Sequence, residues 1–181
     1  MGDRDTIFIQ YRSVQPGRTP EWNVVADLEP TVWLEAVDLA SDGRLSLPAP
    51  LRRRVEWCAT KKAIHLLATI GSSGEIAVEP MSRWDDARAA ITSLLEARPI
   101  AERQALLLGA MASHFRISLQ PDGRLRLPTP LIHHLARHGK AQVWVSAYAN
   151  QVTLWSEADW SAFATAKAVE YREAVGIAAG D

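Results

Sequence analysis

The pattern of apolar and polar positions predicts short strands and helices in an order that occurs twice. Residues 32–39 and 44–47 are predicted strands, because Val37 and Leu39 flank the polar Asp38 and apolar residues alternate with polar ones in 44–47, the two-residue period of a strand with one buried face. Pro48 and Pro50 end this segment, and Pro50 suits the first turn of a helix over 51–57. Strands at 64–68 and 75–78 and a helix at 82–97 follow, so the first half predicts the order ββ-helix-ββ-helix.

The second half of the chain predicts the same order. Its expected elements are strands at 114–120, 124–127, 141–147 and 151–155, a short helix at 130–138 and a closing helix from 156 to about 175. Ser156 and Asp159 form a capping-box pattern at the start of that last helix. We therefore predict a mixed α/β fold, a small barrel built from two tandem ββ-α-ββ-α repeats with flanking helices.

The predicted domain boundaries follow from this duplication. They are an N-terminal extension at 1–31 with one candidate strand at 6–11, a first repeat at 32–98, a connecting helix at 99–113 and a second repeat at 114–181. One phrase is the clearest evidence, because residues 41–51 recur at 121–131 with Asp-Gly-Arg, two leucines, two prolines and a final leucine in register. Duplicated units that cannot close a core alone tend to pair with each other.

The duplicated phrase presents an arginine at a tight turn. Asp and Gly tolerate or supply the positive φ that such a turn needs, and the alternation points Arg44 and Arg124 away from the leucine face. A guanidinium there can reach a phosphate or the O6 and N7 atoms of guanine. A structural alternative remains open, in which each arginine forms a salt bridge to the neighbouring turn aspartate.

Basic residues concentrate in both copies, although the 181-residue chain has a net charge of −1. Six basic residues stand against two acidic ones in 42–62, and four against one in 122–140. Such local clusters attract a phosphate backbone more than net charge does, while the alternative is a solvated helix face. The candidate DNA-binding residues are Arg44, Arg124, Arg126, Arg52, Arg53, Arg54, Lys61 and Lys62.

Composition excludes several other classes. Cys58 is the single cysteine, so there is no disulfide framework, and we expect it to be buried as a small apolar residue. His134 and His138 have the spacing of a metal pair, but surface or phosphate-facing positions are favoured. The sequence contains no enzyme motif, signal peptide or membrane-length apolar run. We expect a cytoplasmic protein that is not an enzyme and has no cofactor, metal or membrane partner.

Two features resemble known DNA-binding proteins. The Asp-Gly-Arg turn, the alternating strand, the proline and the following basic residues resemble the SpoVT/AbrB swapped-hairpin element. Two tandem copies joined by a Glu-Arg-Gln-Ala-Leu-Leu-Leu-Gly-Ala-Met-Ala segment at 102–112 resemble the MraZ family, as does the strand-to-helix junction at 152–160. The resemblance covers about 32–165.

The resemblance implies both a fold and a function. The fold is an AbrB-like double-hairpin barrel in which the two halves form a pseudo-dimer. The function is that of a nucleoid-associated transcriptional regulator, a repressor of a cell-division and cell-wall operon. Its partners are double-stranded DNA with repeated boxes and further copies of itself, associated into a ring-like homo-oligomer.

The family's Asp-x-x-x-Arg motif carries over in part. Its arginines match Arg44 and Arg124, whereas Ala40 and Gln120 occupy its aspartate positions. A second hypothesis therefore stays open, a protein-interaction or assembly module that has the same fold and weak or no DNA binding.

Overall fold

The structure is a computed structural model, and it describes residues 32–136, 142–148 and 150–174. The predicted strand at 6–11 and three charged or titratable residues of the second basic cluster lie outside the described residues: Arg137, His138 and Lys140.

Strands and helices follow one another in the predicted order. The first half contains β1 (Val32–Asp38), β2 (Arg44–Ser46), α1 (Ala49–Arg54), β3 (Ile64–Ile70), β4 (Ile76–Pro80) and α2 (Arg83–Glu96). Helix α3 (Ile100–Ser113) leads into β5 (His114–Leu119), β6 (Arg124–Arg126), α4 (Thr129–Ala136), β7 (Gln142–Tyr148), β8 (Gln151–Ser156) and α5 (Glu157–Ala174). Each element predicted within the described residues is present within a few residues of its expected bounds.

Helix α1 differs most from its predicted span of 51–57. Val55 is extended, with φ −105° and ψ 109°, and a single 3-10 turn follows at Glu56–Cys58. Long-range contacts explain the break, since the Glu56 backbone N–H donates to Asn150 Oδ1 at 2.9 Å and Trp57 Nε1 donates to the Asn150 carbonyl at 2.8 Å. The break also buries the side chains of Val55 and Cys58, as expected for the cysteine.

The eight strands form one antiparallel sheet in the order β1-β7-β8-β4-β3-β5-β6-β2. Four of its ladders join the halves of the chain, because β1 pairs with β7, β2 with β6, β3 with β5 and β4 with β8. A bridge between Leu39 and Leu45 connects the two ends of the sheet and makes it a nearly closed barrel. The pairing of β1 with β2 around their turn is limited to this bridge, and the other edge of β2 pairs with β6.

In two of these ladders, the central pair of residues occupies corresponding positions of the two halves. In the β2–β6 ladder Leu45 lies opposite Leu125, and in the β4–β8 ladder Ala77 lies opposite Thr153. Matched leucines enter the core from both halves, among them Leu45 with Leu125 and Leu51 with Leu131. Each half therefore depends on the other to bury its apolar face.

Helix α5 packs on the sheet through aromatic rings. Trp160 lies 5.8 Å from Trp155 and 6.0 Å from Trp144 between ring centroids, and Phe163 lies 4.6 Å from Trp155. The helix begins with the predicted cap, since the Asp159 backbone N–H donates to Ser156 Oγ at 3.1 Å. No helix among the described residues has the length and apolar character needed to cross a bilayer.

Both turn glycines occupy positions that a larger residue cannot take easily. Gly43 and Gly123 have φ values of 80° and 86°, in the left-handed region. A Cβ at Gly43 would lie 2.5 Å from the Leu127 carbonyl oxygen, whereas at Gly123 it would meet the flexible Arg52 side chain. The first turn therefore has less freedom to adjust than the second.

We expect Gly43→Ala to destabilise the fold by more than the ~1–2 kcal/mol of left-handed strain alone, and Gly123→Ala to cost about that amount. Gly109→Ala in helix α3 is the matched control, because its Cβ would have no neighbour within 4 Å. Since alanine favours a helix over glycine by ~0.5–1 kcal/mol, this control should stabilise the protein. Urea unfolding measures the free energy of unfolding of all three variants. Equal losses of stability for Gly43→Ala and Gly123→Ala would contradict the steric argument.

Candidate nucleic-acid interface

Strands β2 and β6 form a short two-stranded ribbon whose two faces differ completely. Leu45 and Leu125 point into the core and are buried. The other face is exposed, and there Arg44 lies opposite Arg126 while Ser46 lies opposite Arg124. We call this exposed set of four residues the arginine ribbon. The alternation in sequence predicted its three arginines, but only the pairing register shows which of them face each other.

A hollow of about 540 Å³ opens on the arginine ribbon. Its lining consists of Arg44, Gln120, Pro121, Asp122, Arg124, Leu125 and Arg126. Three of the predicted DNA-binding residues therefore meet at one depression in the surface. Gln120 was not predicted as a site residue. Its position just before the second Asp-Gly-Arg turn is the sequence feature that could have indicated it.

Each turn aspartate holds the arginine that follows it. Asp42 Oδ1 accepts the Arg44 backbone N–H at 3.3 Å, and Asp42 Oδ2 lies 2.7 Å from Arg44 Nε. In the second turn, Asp122 Oδ1 accepts the Arg124 backbone N–H and Asp122 Oδ2 lies beside Arg124 Nη1, both at 3.1 Å. The salt bridges considered as a structural alternative are thus present. They leave the arginine side chains 62% and 58% exposed, so each guanidinium is oriented without being covered.

The Arg44–Asp42 contact affects the carboxyl group. Hydrogen bonding from the Arg44 side chain holds the pKa of Asp42 below its ordinary value of 3.8, against a smaller opposing effect of burial. Asp42 is therefore ionised at neutral pH and stays paired with the guanidinium. Because both groups are in water, the pair adds little to stability, and its main effect is on the direction of the arginine.

Helices α1 and α4 lie behind the turns of the opposite half. Ile132 of α4 packs against Gly43, and Arg52 of α1 packs against Gly123, with its Nε 2.6 Å from where a Cβ would be. Arg52 is half-buried, and its Nε is buried without a hydrogen-bond partner in the part of the chain that the structure describes. It was predicted as a phosphate contact, and the structure places it against the second turn.

The other predicted cations lie apart from the hollow. Arg53 and Arg54 are exposed on α1, and Lys61 and Lys62 are exposed in the segment before β3. None of these four lines the depression, so the structure brings together Arg44, Arg124 and Arg126 but leaves the remaining candidates at other positions on the surface.

His134 and Cys58 have structural contacts. His134 is half-buried, and its Nε2 lies 2.8 Å from the Gly74 carbonyl, which ties α4 to the turn between β3 and β4. Burial raises the pKa of the Cys58 thiol to about 12, partly opposed by the charge of Arg52. Among the described residues, His, Cys, Asp and Glu do not gather in a group of three that could hold a metal ion.

We expect Arg44→Ala to raise the pKa of Asp42 towards 3.8, because the hydrogen bond that stabilises the carboxylate is lost. Because the pKa of Asp42 is lower in the folded state than in the unfolded state, the ion pair stabilises the fold at pH values above the unfolded-state pKa. This stabilisation is lost as the pH falls through the folded-state pKa. Carboxyl titration by NMR measures the change. Arg126→Ala is the control and should leave the Asp42 titration unchanged, whereas no response to Arg44→Ala would contradict the contact.

Comparison with known proteins finds a similar protein that covers most of the chain. No family model matches the chain. The transcriptional regulator MraZ of Marinobacter nauticus is 26% identical to it over 137 residues, which cover 75% of this chain and 87% of the relative. The match thus spans most of both proteins, and it agrees with the family resemblance of the doubled turn and the connecting helix. This similarity supports a divergent member of the MraZ family.

Proposed function

We propose that the protein is a sequence-specific DNA-binding transcriptional regulator that contacts double-stranded DNA through the arginine ribbon. The observation that carries this proposal is the ribbon itself, with Arg44, Arg124 and Arg126 exposed on one face above a surface hollow. The relative's description as a transcriptional regulator supports the same conclusion.

The shape of the ribbon suits a DNA groove. The major groove of B-DNA is ~12 Å wide and admits a two-stranded β-ribbon, and its base edges carry a distinct donor and acceptor pattern for each base pair. Arginine pairs with the O6 and N7 atoms of guanine through two donors of its planar fork. Short strands that end in tight turns project such forks from a rigid backbone, which favours readout of bases as well as phosphates.

The charges on the ribbon favour an anionic ligand. Arg44 and Arg126 lie directly opposite each other, and like charges in this arrangement destabilise a sheet. Asp42 compensates Arg44, but within the described part of the chain Arg126 has no ion-pair partner. An anion bound in the hollow would relieve this repulsion, so a phosphate or a guanine edge fits the site electrostatically.

The same proposal includes the duplication. We infer that 32–98 and 114–181 are tandem repeats that form an AbrB-like pseudo-dimer, joined by 99–113. The centred registers of the β2–β6 and β4–β8 ladders support this inference, because two related units around a two-fold axis would pair in that way. The family resemblance further supports a repressor of a cell-division and cell-wall operon that acts at the nucleoid, with no catalytic step.

We also propose that the protein self-associates into a ring-like homo-oligomer on repeated DNA boxes. Helix α3 has no buried residue and carries exposed Ile100 (81%), Leu107 (46%), Leu108 (58%) and Met111 (66%). A helix that shows so much apolar surface is suited to contact a second copy. Association would place several ribbons on repeated sites and raise the overall affinity without new contacts in each ribbon.

The second candidate function is a protein-interaction or assembly module. Two observations favour it: Asp42 and Asp122 neutralise part of the ribbon's charge, and the exposed face of α3 offers a protein-binding surface. The two candidates differ in whether removal of the ribbon arginines changes DNA binding.

We expect the Arg44→Ala/Arg124→Ala variant to bind a duplex from the region upstream of its own gene at least about 25-fold more weakly, since each lost contact is worth ~1 kcal/mol or more. A gel-shift titration at low salt measures the affinity. Arg88→Ala/Arg98→Ala is the matched control, because these arginines also form exposed ion pairs, with Asp85 and Glu102, and it removes the same charge.

The control variant should bind almost as well as the parent protein. The affinity of the parent should fall steeply with added salt as counterions are released, and more steeply than that of the ribbon variant. Absence of any shift at low salt, or equal losses in the two double variants, would contradict binding through the ribbon and favour the assembly module.

We expect Leu108→Glu/Met111→Glu to reduce the mass of the particle in solution, because charges on the α3 face oppose its burial between copies. Light scattering after size exclusion measures the mass. Val169→Glu on α5 is the control, since Val169 is also an exposed apolar residue on a helix. A parent protein that is monomeric, or a double variant of unchanged mass, would exclude self-association through α3.

A further inference from the structure

The two ends of the arginine ribbon carry different side chains on a symmetric backbone. At one end Arg44 lies opposite Arg126, and at the other Arg124 lies opposite Ser46. We call these the double-arginine end and the single-arginine end. Arg126 and Ser46 occupy matching positions of the two copies, so this one difference removes the two-fold symmetry of the exposed face.

The residues that pack behind the turns do not restore this two-fold symmetry. Ile132 lies behind Gly43 at the double-arginine end, and Arg52 lies behind Gly123 at the single-arginine end. The Nε of Arg52 is buried, so part of its donor set points into the protein. Among the described residues, two arginines therefore lie opposite each other on the exposed face of the ribbon only at the double-arginine end.

We propose that the ribbon reads an asymmetric duplex site in a single orientation, with the double-arginine end on two adjacent guanines. This inference rests on the proposed function. Cross-strand neighbours have Cβ atoms ~4.5–5.5 Å apart, a separation that flexible arginines can match to base pairs ~3.4 Å apart. At the other end Arg124 takes one guanine and Ser46 contacts a base with little preference, because a hydroxyl both donates and accepts.

Arg126 is the residue that determines this orientation. A ribbon with serine at both matching positions, or arginine at both, would present the same groups to each half of a palindrome. With one of each, the guanine pair is bound at one end only. Arg126→Ser should lower the affinity for the selected site by about 5- to 150-fold and remove the preference for the second guanine.

The decisive variant is the exchange Arg126→Ser/Ser46→Arg in the full-length protein. It preserves net charge and composition, and it leaves the buried Leu45 and Leu125 unchanged. It moves the second arginine to the end beside Arg124. Because a duplex can be approached from either end, the exchanged protein should select the same sequence and lie on it in the opposite direction.

Selection from duplexes with a randomised centre gives the motif, and DNA cleavage from tethered iron–EDTA gives the orientation. Ser41 and Pro121 are matching, exposed turn residues, and each is replaced by cysteine in turn to carry the label. Cys58 is buried with its pKa raised to about 12, so it provides little thiolate to react with the label.

The expected motif is not palindromic and has its guanines at one end. The label at position 41 should cut at that end in the parent protein, and the label at position 121 should cut there in the exchange variant. A palindromic motif, or cleavage that does not move on exchange, overturns this inference while DNA binding stands. If the parent protein recovers no duplex at low salt, the proposed function and this inference both fail.

Discussion

Each tight turn lies against a strand end of the opposite half, and the rest of the structure depends on this mutual contact. The Leu47 N–H donates to the Gly123 carbonyl and the Leu127 N–H donates to the Gly43 carbonyl, both at 2.9 Å. Glycine permits the approach, because a Cβ at either turn would collide with the opposite half. These two bonds hold β2 beside β6, and a slip of one residue would send the leucines outward and the arginines into the core.

The same contact couples the core to the surface. Because Leu45 and Leu125 close the barrel from one side of the ribbon, the opposite side must present the residues that alternate with them. Asp42 and Asp122 then restrict the arginines to a few directions, which lowers the entropy lost when a ligand binds. Stability and the proposed recognition therefore depend on one three-residue pairing and cannot vary independently there.

Local patterns were sufficient to predict the elements and part of the site. The prolines, the alternating leucines and the Ser156 cap predicted helix and strand bounds, and the alternation predicted that Arg44, Arg124 and Arg126 are exposed. What failed depends on residues far apart in sequence. Asn150 breaks the helix at Val55, and β2 pairs with β6 of the opposite half. Arg52 resembles its basic neighbours in sequence, and only its contact with Gly123 shows that it is half-buried.

The turn geometry also bears on the two aspartates of the family motif that this chain lacks. Ala40 contributes only its backbone to the first turn, donating to the Arg44 carbonyl and accepting from the Gly43 N–H, and Gln120 contributes the same two bonds to the second turn. The carboxylate that orients each arginine comes instead from two residues further along, inside the turn. A change of side chain at positions 40 and 120 therefore leaves both the turn and the direction of its arginine in place. In this chain the arginines are thus oriented from inside the turns, while positions 40 and 120 contribute through their backbones.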